Sequence, residues 1–213
     1  MKKTLTIIAM FFMALTSFAQ KDPAAKKVLD ATAAKLGSLK GIRSNFEIAQ
    51  FNGANQSSDT MKGTILLSSN KYKVEAPGAT ITWFDGKTQW VYIPENEEVN
   101  VSEPSKEEQA TMNPYAFIGL YKKGYNYSMT KTTLRGTTVY EVRLTAESAS
   151  ADIQEARLDI SLDYIPISVR VRQGKKTWTR IRVSGLQGKQ KFTKDTFTFP
   201  SSQYPNAEVI DLR

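Results

Sequence analysis

Six carboxylates in the middle of the chain, Asp85, Glu97, Glu98, Glu103, Glu107 and Glu108, come nearest in type and spacing to a catalytic set. A pair of carboxylates can hydrolyse a glycosidic bond, one acting as proton donor while the other attacks the sugar or activates water. All six stand at turns or in an acidic loop, where runs of charge usually face solvent. The chain has no histidine and no cysteine. Ser-His-Asp and Cys-His nucleophile systems and the usual zinc sites are thereby excluded, because each needs imidazole or thiolate. The expectation is a protein without turnover and without a cofactor.

The stretch Ile81-Thr82-Trp83-Phe84-Asp85-Gly86-Lys87-Thr88-Gln89-Trp90-Val91-Tyr92-Ile93 points to binding instead. Asp-Gly is a strong hairpin signal, because a tight turn needs a positive φ that glycine adopts without steric cost. Aromatic and β-branched residues fill both arms, as a packed sheet prefers. The arms do not alternate: Ile81, Trp83, Trp90 and Tyr92 are apolar, and so are Phe84, Val91 and Ile93 between them. Such a hairpin has something lying on each side. It is either an ordinary central hairpin in a large antiparallel sheet or part of the wall of an apolar site.

The elements that would position this wall follow from the chain in order. Lys2 and Lys3, the apolar run Leu5 to Leu15 and the small residues of Ser17-Phe18-Ala19 form a signal peptide cut after Ala19. Residues 20–213 then form one domain in an exported, periplasmic protein. The formal charge of +8 includes Lys2 and Lys3, and the remaining basic residues are dispersed, so nucleic acid is not an expected partner. Without cysteine the fold must hold without disulfides in an oxidising compartment.

Asp22-Pro23 opens a helix whose apolar stripe is Ala25, Val28, Leu29, Thr32 and Leu36, with Gly37 a natural stop. Strands are expected over 44–51, 61–67 and 71–75, in the two hairpin arms, and over 99–101, each pairing with its predecessor. Ser105-x-x-Glu108 has capping-box spacing for a short acidic helix. Asn113-Pro114 caps a second helix, Pro114 to Tyr121, apolar nearly all round: a plug in the core or a mobile lid.

Strands then resume with cleaner alternation. Tyr125, Tyr127 and Met129 share a face, as do Tyr140, Val142 and Leu144, and Ala156, Leu158, Ile160 and Leu162. The opposite rows, rich in Arg, Glu and Asp, read as solvated faces with charges paired across strands. Phe197 to Phe199 reads as a last edge strand.

Roughly ten strands with one apolar face must curl or close. Closed tightly, the interior is filled by side chains; left open around small helices, it keeps an apolar hollow suited to an acyl chain. The candidate wall is Phe46, Ile48, Trp83, Trp90, Tyr92, Tyr127 and Leu144, with Phe117 and Ile118 from the second helix. A one-residue change of parity inverts the hairpin's share of that set.

Several of these residues, in this order, carry a family resemblance. They are the signal peptide, the N-terminal helix followed by Ser44-Asn45-Phe46, and Asp85-Gly86-Lys87-Thr88-Gln89-Trp90. The Asn113-Pro114 helix and Phe197-x-Phe199-Pro200 with Val209-Ile210-Asp211 complete the series. The chain resembles the periplasmic outer-membrane lipoprotein carriers of the LolA family across residues 20–213. The resemblance implies a mainly β fold, an unclosed antiparallel β-barrel of ten or eleven strands covered by two or three short helices. It implies a monomer whose cavity takes lipoprotein acyl chains from an inner-membrane ABC-type releasing complex for delivery to an outer-membrane acceptor. It also implies that Tyr72 meets the transporter. An envelope lipid-binding sensor of the same fold, or a carrier of another lipid, are the alternatives. One departure stands out: the Arg-Pro pair that holds the lid closed in family members is replaced here by Ser68-Ser69-Asn70. The resemblance therefore leaves the lid without its charged latch and easier to open.

Overall fold

A computed structural model describes residues 21–52, 55–56, 60–105, 108–109, 113, 115–174 and 176–213. The signal segment 1–19, its cleavage point, Glu107 and Pro114 lie outside the described residues. Helix α1 spans Pro23–Ser38, with the Asp22 side chain accepting a hydrogen bond from the Ala24 N–H at 2.8 Å and Pro23 in the first turn. Ala25, Val28, Leu29 and Thr32 are buried and Leu36 packs beside them, as the stripe requires. The helix runs past Gly37 to Ser38, and the chain turns afterwards at Lys40 and Gly41, both with positive φ.

Thirteen strands among the described residues form one sheet. They are β1 Ile42–Asn52, β2 Asn55–Gln56, β3 Met61–Ser68, β4 Lys71–Ala76, β5 Thr80–Phe84, β6 Gln89–Ile93 and β7 Glu98–Ser102. Then come β8 Tyr125–Leu134, β9 Thr137–Ala146, β10 Ile153–Ser161, β11 Pro166–Gln173, β12 Thr177–Gln187 and β13 Glu208–Asp211. The order β13-β7-β6-β5-β4-β3-β1-β12-β11-β10-β9-β8 makes two meanders joined where β1 pairs antiparallel with β12, Phe46 opposite Val183 and Ile48 opposite Ile181. β8 and β13 are the two ends of the path, so the sheet is unclosed. A 3₁₀ helix, Ala116–Lys122, stands where the second helix is expected, and Asn113 Oδ1 accepts from the Tyr115 N–H at 2.9 Å just before it. The capping box also forms: the Ser105 N–H donates to Glu108 at 2.7 Å and the Glu108 N–H to the Ser105 hydroxyl at 3.2 Å.

The end of the chain departs from the sequence reading. Phe197–Phe199 is not an edge strand: Lys194–Phe197 is a 3₁₀ turn, and the edge is β13, which runs parallel to β7 with Val209 opposite Val99. The reason is aromatic packing. Between the turn and β13, Phe199 and Tyr204 fold over the sheet, their rings 5.5 and 5.9 Å from Trp83, and Tyr204 lies 4.5 Å from Tyr92. Leu162, expected inside with Ile160, is 48% exposed because β10 ends at Ser161.

The sheet thus has two packed regions on opposite faces. On one, α1 and the 3₁₀ helix cover Phe46, Ile65, Tyr72, Phe84, Val142, Leu144, Leu158 and Ile181. On the other, the C-terminal tail covers Trp83 beside buried Val99 and Val101. The hairpin β5–β6 lies between the two, which is why both its faces are apolar.

Gly63 in β3 shows how close the packing is at the join. A Cβ there would lie 2.1 Å from the Glu75 carbonyl oxygen and 2.5 Å from the Phe46 ring. Gly63→Ala forces strand or ring to shift and should destabilise the protein by about 1–3 kcal/mol. Chemical denaturation should show a lower midpoint; an unchanged midpoint would mean that Phe46 relaxes freely.

Candidate functional site

The site is the space between the apolar face of the sheet, α1 and the 3₁₀ helix. Phe117, Ile118 and Tyr121 of the 3₁₀ helix are 2%, 3% and 7% exposed and belong to the same core as Leu29, Tyr127 and Leu144. The space is therefore filled by the protein's own side chains. What remains open on this side is a cleft of about 340 Å³ between the end of α1, the start of β1 and the 3₁₀ helix, bordered by Leu36, Ile42, Leu67, Tyr115 and Ile118. Beyond the 3₁₀ helix a larger cleft of about 1250 Å³ runs past Leu120, Tyr125 and Ile153 to the 147–152 loop, with Lys122 and Lys123 at its border.

Two phenols fasten the 3₁₀ helix. Tyr115 shares a buried hydrogen bond with the Ser44 hydroxyl of β1 at 2.8 Å. Tyr121 donates to the Asp30 carboxylate of α1, which Lys26 also holds at 2.6 Å, and the Tyr121 ring meets Tyr127 edge-on at 5.8 Å. Helix α1 is tied to the sheet in turn, because Asp22 donates its N–H to the Tyr127 carbonyl at 3.0 Å and accepts from the Met129 N–H at 3.2 Å. Where the resemblance leaves the lid unlatched, Ser68-Ser69-Asn70 instead makes the tight β3–β4 turn. Asn70 Nδ2 donates to the Gly86 carbonyl at 3.4 Å, and hydroxyl groups do the fastening elsewhere.

The sequence-derived residues divide between the two faces. Phe46, Tyr127, Leu144, Phe117 and Ile118 lie together in the core, and Ile48 packs against it half-buried. Trp83, Trp90 and Tyr92 do not join them. Trp83 and Trp90 are paired opposite each other, on the face that carries the tail, while Phe84, Gln89 and Tyr72 face the helices. The hairpin parity is inverted, because a tail that begins more than a hundred residues later covers its far side. Tyr72 is 2% exposed, stacked on Phe84 at 4.9 Å, and donates to Gln89 at 2.7 Å, so its ring is not displayed to a partner.

The carboxylates considered for catalysis hold turns and caps. Asp85 accepts the N–H groups of Lys87 and Thr88 at 2.9 and 2.8 Å, in the turn where Gly86 has a φ of 104°. Glu98 accepts from Asn96, Glu103 pairs with Lys87, Glu108 caps its helix, and Glu97 occupies a positive-φ turn position. Among the described residues no three His, Cys, Asp or Glu side chains are grouped to hold a metal ion. Missed by sequence reasoning were Ser44, Asp30, Tyr115 and Tyr121: single polar atoms in apolar runs give no pattern to read.

An open, mainly antiparallel sheet whose apolar interior is occupied by a short helix on side-chain fastenings defines an unclosed-barrel protein. The chain belongs to the LolA family: the family model described as outer membrane lipoprotein carrier protein LolA matches residues 15–175. A search of curated protein sequences returns no match. Among solved structures, an uncharacterized conserved protein from Thermus thermophilus is similar at 13% identity, with a TM-score of 0.59 over 88% of this chain and 99% of that one. A LolA superfamily protein from Nitrosomonas europaea has 11% identity and a TM-score of 0.46 over 82% of this chain and 97% of its own. The lipoprotein LppX of Mycobacterium tuberculosis has 12% identity and 0.49 over 82% and 100%. At 13% identity the likeness to the Thermus protein is one of fold.

The fastening has a defined pH response. Burial, and then the bond to Asp30, push the Tyr121 phenol from an ordinary 10.0 up to about 12. The folded state therefore favours the protonated phenol, and its contribution is fully present below pH 10 and lost as pH rises toward 12. Asp30, held below its usual value first by Lys26 and then by Tyr121, loses its contribution only as pH falls through that lowered value. Tyr121→Phe should cost about 0.5–1.5 kcal/mol through the neutral range. The melting-temperature gap between parent and variant should shrink between pH 10 and about 12. A gap that stays constant over that interval would show that the Tyr121–Asp30 bond contributes nothing.

Proposed function

We propose that this protein is a periplasmic carrier that binds the acyl chains of lipoproteins between the sheet and the 3₁₀ helix and carries them from the inner to the outer membrane. In this reading the signal peptide is cut after Ala19, an inner-membrane ABC-type complex supplies the cargo, and an outer-membrane acceptor removes it. It does no chemistry: direction follows from the relative affinity of successive partners for the same acyl chains.

The observation that carries the reading is the burial of Phe117, Ile118 and Tyr121 in the apolar interior by a segment of seven residues. A 3₁₀ helix of that length has little stability of its own. Its position depends on apolar burial and two hydroxyl bonds. Acyl chains and these three side chains compete for one surface. Exposing three such side chains costs roughly 5–9 kcal/mol, and burying about six to eleven methylenes at about 0.8 kcal/mol each offsets that. One acyl chain of ordinary membrane length is enough to displace the plug. Membership of the lipoprotein carrier family supports the same reading. Leu144, Tyr127, Phe46 and Ile48 would then form the wall that the chains meet.

Phe117→Asp places a charge against either lipid or helix and should release cargo while the sheet stays folded. The measurement is acyl-cargo retention together with amide hydrogen exchange over residues 115–122, with and without lipid. The expected outcome is weaker retention in the variant and faster exchange of the segment when the parent is loaded. Protection equal to that of β5–β6 in both states, with retention unchanged in the variant, would make the segment a static plug. Native mass spectrometry separates the alternatives, since a co-purifying free phospholipid in place of an acylated protein would indicate a carrier of another lipid.

A further inference from the structure

The face of the sheet turned away from α1 carries charge across β9 to β12 and β1. Arg143 stands opposite Arg157, Arg157 opposite Arg170 and Arg170 opposite Arg180, four guanidiniums in one row over four neighbouring strands. Like charges directly opposite one another destabilise a sheet. Carboxylates offset part of the repulsion. Glu155, buried, binds Arg143, Arg157 and Arg172 at 2.9, 2.8 and 3.5 Å. Arg170 meets Glu141 at 2.5 Å and Asp159 at 3.7 Å, and Glu47 meets Arg182 at 3.0 Å and Arg180 at 3.8 Å.

The compensation is incomplete where the face is hollow. A cavity of about 890 Å³ is lined by Lys62, Arg135, Arg170, Arg180 and Arg182 against the carboxylates of Glu47 and Asp159, five positive charges to two negative. Lys62 and Arg135 make no ion pair with a described residue. The Nε atoms of Arg170 and Arg180 are buried without a hydrogen-bond partner. Burial, then the neighbouring Arg182, hold the Arg180 guanidinium below its usual value. A smaller recess of about 340 Å³ shares Arg170 and Arg180 and adds Phe51, Arg157 and Trp178, with Arg180 stacked 4.7 Å from the Phe51 ring.

We infer that this cavity binds a phosphate group, with Arg170, Arg180 and Arg182 as its donors and Arg135 and Lys62 at its rim. Guanidinium forks match the geometry of phosphate oxygens and bind them bidentately. A phosphate also supplies the negative charge that the row of arginines lacks, and the aromatic recess alongside can take the apolar part of a phosphate ester. The group can arrive as a free anion or as the head group of a lipid. The donor arginines stand on the face opposite the acyl-chain wall, and Phe46 is the one residue of that wall that also borders the cavity, so variants at the arginines test the site independently of the carrier reading.

The test uses the full mature chain with two probes, inorganic phosphate by titration calorimetry and phosphatidylcholine vesicles with and without phosphatidic acid by co-sedimentation. Arg180→Gln removes a central donor. Arg135→Asn removes a rim charge at an exposed turn with a φ of 49°, which asparagine tolerates, so it keeps the test open should the first variant fold poorly. The parent should bind at least one probe, more weakly as salt rises, and each variant should bind about tenfold more weakly or worse, the loss of a charge-assisted contact. Binding of phosphatidic acid vesicles that free phosphate competes away assigns the site to a lipid head group; binding of inorganic phosphate alone assigns it to the free anion. No binding of either probe by the parent, or equal binding by parent and both variants, overturns the inference.

Discussion

Among the described residues one sheet presents an apolar face from β5 through β1 and β12 to β8, and a sixteen-residue helix together with a seven-residue 3₁₀ helix packs against it. Most of the molecule follows from that shortage of cover. Helix α1 packs along β8 near the open end of the sheet, tied there by Asp22. The 3₁₀ helix fills the remaining space with Phe117, Ile118 and Tyr121. It is too short to hold its own shape, so its place is set by what its side chains bury and by the hydroxyl bonds of Tyr115 and Tyr121. A segment held in this way is strongly bound while the interior is its own and loosely bound once another apolar group competes for it.

The chemistry of the fastening suits that exchange. A buried ion pair resists opening because each separated charge is left costly and unpaired. Ser44 with Tyr115 is a neutral pair, and Asp30 sits at the border of the core with Lys26 beside it. When the segment leaves, water can replace both bonds. Asp30 below its usual value and Tyr121 above its own keep the Tyr121–Asp30 pair in one protonation state through the neutral range, so small changes of pH leave this fastening unaltered.

The strands were legible wherever polar rows mark the second face, as in β9 to β12, where Arg, Glu and Asp alternate with Val, Leu and Ile. The parity of β5 and β6 was not, because the tail supplies Phe199 and Tyr204 to cover Trp83 and Tyr92, and nothing local to the hairpin announces that cover. Tyr72, which the resemblance assigns to a partner contact, is a core residue on the helix side, stacked on Phe84. Tyr115 and Tyr121 were visible as apolar helix residues, but their roles depend on which single oxygen of β1 or α1 lies within reach. The charged face was legible as rows of opposite charge paired across strands, and such pairs form, but only the register reveals that arginine also faces arginine over a hollow.

In the proposed cycle, acyl chains and the 3₁₀ helix take turns in one place. The chain has no cysteine, so two nitroxide labels can be added cleanly, at Gly119→Cys on the exposed side of the 3₁₀ helix and Lys87→Cys at the hairpin turn. A Cβ at Gly119 meets nothing within 4 Å, so the label leaves the packing intact. Double electron–electron resonance should give one distance in the free protein and a different, broader distribution once acylated cargo is bound. Bound cargo with the distance unchanged would contradict the exchange and place the acyl chains elsewhere on the protein.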